Sequence, residues 1–494
     1  MPKLKIIAAI SGTTLAAMLL AAVPGGAQPQ TIQAISAKDK ESGAKAHPEL
    51  LQEFGGAYAG AKQASYVTRV GQKIAFQSGI AGSEREFTVT LLNSPVNNAF
   101  AIPGGYVYVT RQLMALMNDE AELASVLGHE VGHVAARHGQ QRQKTAKRNA
   151  IFGAILQIAT GLALGGDSAV GQLLQKGIGS GVQLVTLKYG RAQEYEADDL
   201  GVTYLAKAGY DPAAASTMLA ALAAQTAIDA RVRGGDARST PEWASTHPDP
   251  GSRVKRALAR AKSTGMTGGL RNRDSFLTAL DGVLYDDDPR TGITAGRDFL
   301  YPEARFQFTV PQGYGMANGA AAVAITGSGG GQAQFSSGPL KGGSLATYVD
   351  SVFRGVAGDS AALDYGQIRT TRVNGIEAAS ASAQAKASSG QVTVTVFAYQ
   401  LDGKGYHFVT LTPAGSAGGF ETMFQSFRRM TAAEAAAVKP RKLQVVAVKK
   451  GDTLASLSAR MAYDEYRQER FLVLNALAAN AALTAGQRVK IVTF

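Results

Sequence analysis

The 494-residue sequence contains no cysteine. No disulfide framework, thiolate metal cluster or cysteine nucleophile is therefore available, and any metal has to be held by nitrogen or oxygen. The chain also lacks a dominant charge pattern. Its net charge of +12, with 18% charged residues, spreads over so long a chain that it selects none of lipid head groups, cell-wall polymers or nucleic acid as partner. No 34-residue helical period is present, which excludes tandem helical repeats. Beyond the N-terminus, long apolar runs are missing too. The stretches 151–166 and 171–187 are apolar but broken by Gly153, Gly161, Gly177, Gly179 and Gly181, and each is shorter than the ~20 residues a membrane span needs. They read as two helices packed on a core, with peripheral membrane contact by an amphipathic hairpin as the alternative.

What is present is an ordinary globular composition, 45% hydrophobic, on a chain long enough for about three domains at ~150 residues each. Lys3 and Lys5 precede an apolar run over 6–23, and Gly25 and Ala27 supply small residues before a cleavage point. Residues 1–27 are thus expected to be a secretory signal peptide and the mature protein to be exported, with an uncleaved anchor, weakened by Ser11, Gly12, Thr13 and Thr14, as the alternative.

The remainder divides by pattern. In 28–265, helical stretches are expected at 49–54 and 65–77 and a strand at 87–92, while 101–110 reads as a turn at Pro103-Gly104-Gly105 entering another strand. A strong helix then opens at Asn118 or Asp119, carries Glu120 and Glu122 in its first turn, and buries Leu123, Val126, Leu127, Val131 and Val134 before Gly139. Further helices follow over 191–208 and after Asp211-Pro212. A Gly-, Ser-, Thr- and Arg-rich stretch at 263–272 marks the end of this domain. In 274–433, alternating strands and one helix near 345–356 predict a β-rich α+β domain. A linker with Lys439-Pro440 leads to a final unit, 443–494.

The strong helix contains His129-Glu-Val-Gly-His133. Histidines four apart place both imidazoles on one helical face, able to grip one zinc ion, with Glu130 beside the open coordination position. The same five residues also arise by chance on solvated helices. A catalytic zinc needs a third protein ligand and a fourth place for water. Ala136 and Gly139 exclude a third histidine at metzincin spacing. A later helix, Arg191-Ala-Gln-Glu194-Tyr-Glu-Ala-Asp198, offers carboxylates four apart on one face: Glu194 can bind the metal while Asp198 accepts a hydrogen bond from a ligating imidazole. Read alone, Glu194, Glu196, Asp198 and Asp199 are more simply an acidic, solvated helix start.

The segments Asn98-Ala-Phe-Ala-Ile-Pro-Gly-Gly-Tyr-Val-Tyr-Val-Thr, Asp119-Glu-Ala-Glu-Leu-Ala, His-Glu-Val-Gly-His, Glu-Tyr-Glu-Ala-Asp and Ser-Thr-His247-Pro together resemble the zinc metallopeptidases related to the CAAX prenyl protease, closest to their soluble periplasmic BepA-like members. The resemblance spans about residues 49–260. It implies a mainly helical gluzincin fold with a small sheet, one Zn2+ per chain on His129, His133 and Glu194, and Glu130 as general base. It further implies that 97–101 is an edge strand on which an extended substrate is laid, with Asn98 and Ala99 holding it; Asn98 as a turn residue is the other reading. The matching family histidine lies near the metal, so His247 is either a regulatory fourth ligand or a solvated loop residue. His47 and His407 read as bystanders, and His138 as a helix-end residue suited to the dipole. BepA itself carries tetratricopeptide repeats after the protease; here a β-rich unit stands instead, and substrate recruitment does not carry over.

The last fifty residues resemble a LysM domain, a βααβ module that binds N-acetylglucosamine polymers. Asp464, Glu465, Arg467, Glu469 and Arg470 crowd its customary short turn, which leaves glycan binding and a purely structural docking role open. The expected protein is a multidomain α+β, exported, periplasmic zinc endopeptidase that cleaves misfolded or unassembled envelope proteins. Its rivals are a latent protease acting as chaperone or assembly factor and a peptidoglycan-associated binding protein. Expected partners are unfolded polypeptides and, through the tail, peptidoglycan, with no nucleic acid. Deletion after Pro440 is expected to leave the catalytic site intact, because every motif precedes residue 261.

Overall fold

The computed structural model describes residues 33–140, 189–232, 247, 249–327, 331–340, 343–357, 363–387, 390–414 and 419–494. The expected signal peptide and both apolar stretches, 151–166 and 171–187, lie outside the described residues. Among the described residues, no helix is long and apolar enough to cross a membrane.

Helix α1 (Ala37–Glu53) starts well before the expected 49–54, because Ser36 and Asp39 close a capping box around its first turn. Helix α2 (Ala61–Phe76) buries Val67, Val70 and Ile74. They pack beneath a three-stranded sheet in which β1 (Thr88–Leu92) pairs parallel and β2 (Ala99–Ile102) antiparallel with the central β3 (Tyr106–Thr110). The turn expected at Pro103-Gly104-Gly105 joins β2 to β3, with Gly104 and Gly105 both at positive φ, and the residues before it form a strand of their own. A short helix, α3 (Arg111–Leu116), leads into α4 (Glu120–Ala135), capped by Asp119 accepting from Glu122 N–H.

Helix α4 is buried on every side from Glu120 to His133. Helix α5 (Arg191–Lys207) lies against it at unusually close range, and glycines permit this. A Cβ on Gly201 would stand 3.1 Å from the His129 amide nitrogen, and one on Gly132 would stand 3.0 Å from the Ala197 carbonyl oxygen. Helices α6 (Ala214–Val232) and α7 (Pro250–Ser263) pack on one another and complete the bundle. The expected boundary at 263–272 falls inside this core. Leu270 bridges to Tyr210, Arg271 pairs with Asp119 and Asp211, and Phe276, Leu277 and Leu280 of α8 (Arg273–Leu280) join the same apolar cluster as α2 and α4.

The next region is a seven-stranded antiparallel sheet running from Tyr314 to Pro413. A helix, α9 (Leu345–Ala357), covers one face. A four-stranded sheet between Ile293 and Arg429 covers the other through packed aromatics, its Phe299, Phe306 and Phe308 meeting Phe335 and Phe408 of the larger sheet. The tail then follows as strand, two short helices and strand: β4 (Lys442–Ala447), α10 (Leu454–Ser458), α11 (Arg467–Leu474) and β5 (Arg488–Thr493), the strands being antiparallel partners. Its Leu443, Phe471, Leu474, Val489 and Ile491 belong to the same apolar cluster as α2, α4 and α8. The tail is therefore docked on the helical bundle and shares its core.

Candidate metal centre

The floor of the site is the last two turns of α4. Four-residue spacing turns His129 and His133 to one side, with Nε2 atoms 3.1 Å apart. The glycine-mediated contact with α5 brings Glu194 to meet them, Oε2 at 3.5 Å from His129 Nε2 and Oε1 at 3.4 Å from His133 Nε2. His247 comes from the loop before α7, its Nδ1 3.0 Å from Glu194 Oε1 and 3.3 Å from His129 Nε2. One donor atom from each of the four lies within 4.8 Å of the others, and all four residues are buried. Two nitrogens and a carboxylate in this grouping, with a fourth nitrogen beside them, are the donor chemistry zinc takes in a cysteine-free protein.

Glu130 is 2% exposed, and its Oε1 makes no hydrogen bond among the described residues; His247 Nε2 stands 3.6 Å away. Burial raises its pKa. Burial would also raise that of Glu194, but His247, His129 and His133 outweigh it and hold the carboxylate well below its usual range. For His129, burial opposes the charge, yet Asp198 and Glu194 prevail and lift the pKa to about 9. Burial dominates at His133 and pushes it well down.

Asp198 Oδ1 lies 3.0 Å from His129 Nδ1, able to fix that ring with Nε2 facing the cluster. Sequence reasoning missed what neutralises it. Arg253 of α7 donates to Asp198 through Nε at 2.8 Å and Nη2 at 2.5 Å, and reaches Glu194 Oε2 through Nη1 at 2.5 Å. With this clamp the Asp198 pKa falls to about 2 against the pull of burial. The signal was available: three carboxylates buried together call for a buried cation, and Arg253 opens the helix just after His247, behind the Asp249 cap and Pro250.

His138 stands just past the end of α4 and also reaches the site. It is fully buried, with Nδ1 2.8 Å from His133 Nδ1 and Nε2 3.2 Å from Glu196 Oε2. Tyr189 stacks on the His133 ring at 3.7 Å and 15°. His47 bonds Tyr108, and His407 bonds Ser336 and Tyr348, both remote structural contacts. Ala99 begins the edge strand β2 and Asn98 immediately precedes it; they are 1% and 2% exposed. The Asn98 N–H donates to Thr110 Oγ1 and its carbonyl accepts from Thr110 N–H.

Residues 61–261 match the profile of Peptidase family M48, and residues 446–492 that of the LysM domain. The chain is 29% identical over 196 residues to the β-barrel assembly-enhancing protease of Escherichia coli O157:H7, covering 40% of this chain and 38% of that one. It is 29% identical over 220 residues to the mitochondrial metalloendopeptidase OMA1 of Schizosaccharomyces pombe, covering 44% and 59%. The OMA1 of Arabidopsis thaliana is 34% identical over 175 residues, covering 35% and 31%. The chain thus spans less than two thirds of the length of each of these relatives. Among solved structures, a cyanobacterial PsbP from Synechocystis sp. is similar at a TM-score of 0.23 and 12% identity over 28% of this chain and 98% of that one, too low to bear on the fold. The chain carries, on these matches, a metallopeptidase domain of family M48 followed by a LysM domain.

Proposed function

We propose that the protein is an exported, zinc-dependent endopeptidase acting on misfolded or unassembled envelope polypeptides. The observation that carries this reading is the burial together of His129, His133 and Glu194 with Glu130 alongside, inside an M48 domain. His129, His133 and Glu194 are the ligands of one zinc ion per chain. Zinc held there supplies Lewis acidity to the scissile carbonyl and makes water a nucleophile at neutral pH. Glu130, its pKa raised by burial toward the working range of a base, takes the water's proton and passes it to the leaving amine. Asp198 and Arg253 hold His129 and Glu194 in place. Asn98 and Ala99 align an extended substrate along the edge of β2.

In this reading, residues 1–27 are the export signal to the periplasm, the gluzincin peptidase unit runs from 28 through α8, which shares its core, the β-rich unit follows it, and 443–494 is the LysM-like unit. The substrate class draws support from the name of the bacterial relative, a β-barrel assembly-enhancing protease. The LysM match supports peptidoglycan as a second partner.

The decisive experiment measures zinc content and casein cleavage together. Wild type should carry about one zinc and cleave, and Glu130→Gln should keep zinc and lose cleavage. Alanine at His129, His133 or Glu194 should lose the metal. Normal zinc in the Glu194 variant would overturn the ligand set, and full activity of Glu130→Gln the base.

The position of His247, 3.0 Å from Glu194 and 3.3 Å from His129, supports a second reading: a latent state with His247 as fourth ligand in the place water needs. His247→Ala should then raise casein cleavage and self-cleavage at unchanged zinc content. A fall in activity would make His247 a stabiliser of the carbonyl oxygen in the transition state instead.

A further inference from the structure

We propose that His138 and Glu196 form a positioning relay that sets the tautomer and orientation of His133. The inference rests on the reading of His133 as a metal ligand.

The turn after α4 creates the relay. The helix ends at Ala135, and Arg137 adopts a left-handed conformation with φ of 55°. The turn leaves His138 fully buried, with Nδ1 2.8 Å from His133 Nδ1. Two imidazole nitrogens at that distance share one hydrogen, so one donates and the other accepts. The far side of His138 decides which. Its Nε2 faces Glu196 Oε2 at 3.2 Å. A carboxylate oxygen accepts, so Nε2 carries the hydrogen and His138 Nδ1 is left as an acceptor. His133 must then donate from Nδ1, which leaves the lone pair on its Nε2, the nitrogen facing Glu194 and His129. The opposite assignment would set two acceptors against each other at 3.2 Å and point an N–H at the ligand cluster.

The result parallels the other histidine. Asp198 meets His129 Nδ1 directly at 3.0 Å, while Glu196 meets His133 Nδ1 through His138. One helix, α5, thus supplies three carboxylates with three uses: Glu194 toward both Nε2 atoms, Asp198 behind one ring and Glu196 behind the other. Tyr189, stacked on His133 at 3.7 Å, fixes the plane of the ring.

The test is zinc affinity of the full chain, by competition with a chelator, alongside the cobalt-substituted absorption spectrum and the melting temperature of the metal-free protein. His138→Ala should weaken zinc binding about 10–100-fold and alter the cobalt spectrum. His138→Asn, which keeps an acceptor oxygen near the former Nδ1, should recover most of the loss. At Glu196, whose side chain is 40% exposed, substitutions leave the core intact. Glu196→Gln retains an acceptor and should bind zinc almost as wild type does, whereas Glu196→Lys offers a donor, drives His138 into the wrong tautomer and should lose affinity as His138→Ala does. Wild-type affinity in His138→Ala, or equal affinities for Gln and Lys at 196, would overturn the relay. His133→Ala separates the two readings: if it keeps zinc, the ligand assignment fails, and if it loses zinc while His138→Ala does not, the relay alone fails.

Discussion

The two regions that follow the metallopeptidase domain are attached to it in opposite ways. The β-rich region is nearer in sequence yet closes on itself: the members of its two apolar clusters all lie between Phe299 and Phe427. The tail is farther away in sequence yet shares one apolar cluster with α2, α4 and α8. The chain leaving the peptidase and the chain entering the tail run side by side, with Tyr285 N–H donating to the Arg441 carbonyl, Leu443 N–H to that of Val283, and Leu284 bridged to Lys442. The β-rich region is thereby an insertion whose ends meet, and the tail completes the bundle that the insertion interrupts. Adjacency in sequence is no guide to which unit stabilises which.

The largest expected effect comes from exchanging the two deletions. Truncation after Pro440 should strip the apolar partners from the bundle and yield insoluble protein without bound zinc, contrary to what the position of the motifs suggests. Replacing residues 289–438 by a short Gly/Ser loop should leave a soluble protein that binds zinc, because the joined ends are already paired. Soluble yield and zinc content check both, and a soluble, zinc-binding truncation would break the comparison.

A single residue sharpens it next. Lys490 of β5 is fully buried and donates to the carbonyls of Ala115, Leu116 and Met117, at the end of α3 and just before α4. It works as a helix C-cap supplied by the tail. Lys490→Met should leave these three buried carbonyls unpaired, at a cost of about 3–5 kcal/mol. A lower denaturation midpoint at unchanged slope would show it. A shift below ~1 kcal/mol would mean that apolar contact alone holds the tail.

Much of the site was legible in the sequence because helical geometry made it local. His129 with His133, and Glu194 with Asp198, are each four apart, so one face of one helix predicts each pair. What joins the pairs is not local. Gly128, Gly132 and Gly201 set the approach of α4 to α5, and a glycine within a helix carries no mark of its partner. Arg253, Glu196 and His138 act across elements; His138 in addition depends on a left-handed turn at Arg137, where an arginine gives no hint of positive φ. Lys490 was hidden for the same reason. In Arg488-Val-Lys-Ile-Val, a lysine between apolar residues reads as a solvent-facing strand position, and only docking reveals three carbonyls waiting for it. The strands of the β-rich region were visible, since period-two alternation is a local signal, but their division into two facing sheets was not.

A smaller effect concerns how the stretch before α8 is fastened to the bundle. Glu120 accepts hydrogen bonds from Tyr66, Arg69, Tyr210 and Asn272. Against the opposing effect of burial, these hold its pKa at about 2, below the ordinary 4.5. A depressed carboxyl stabilises the fold above its unfolded pKa, and that contribution fades as pH falls from 4.5 through 2. Glu120→Gln should therefore cost up to about 3 kcal/mol at neutral pH and progressively less in that acid window. A loss of equal size at pH 7 and pH 2 would show that packing, and not charge, fastens Asn272 to the bundle.

The smallest expected effect has two signs at one position. Arg137 holds φ of 55°, a conformation glycine adopts freely at the end of a helix and a β-branched residue resists. Arg137→Gly relieves that strain, and its gain, up to about 1 kcal/mol, is offset in part by the added freedom of the unfolded chain. Zinc affinity should not change, since His138 still returns to the same place. Arg137→Val should do the reverse, straightening the turn, withdrawing His138 from His133 and weakening zinc binding more than its modest loss of stability accounts for. The insertion offers a control, because Asn374 holds a similar φ of 49° in a hairpin of the β-rich region. Asn374→Val should lower stability there and leave zinc affinity untouched. If both valine variants weakened zinc binding equally, the β-rich region would be coupled to the metal centre, and the separation between insertion and bundle would be wrong.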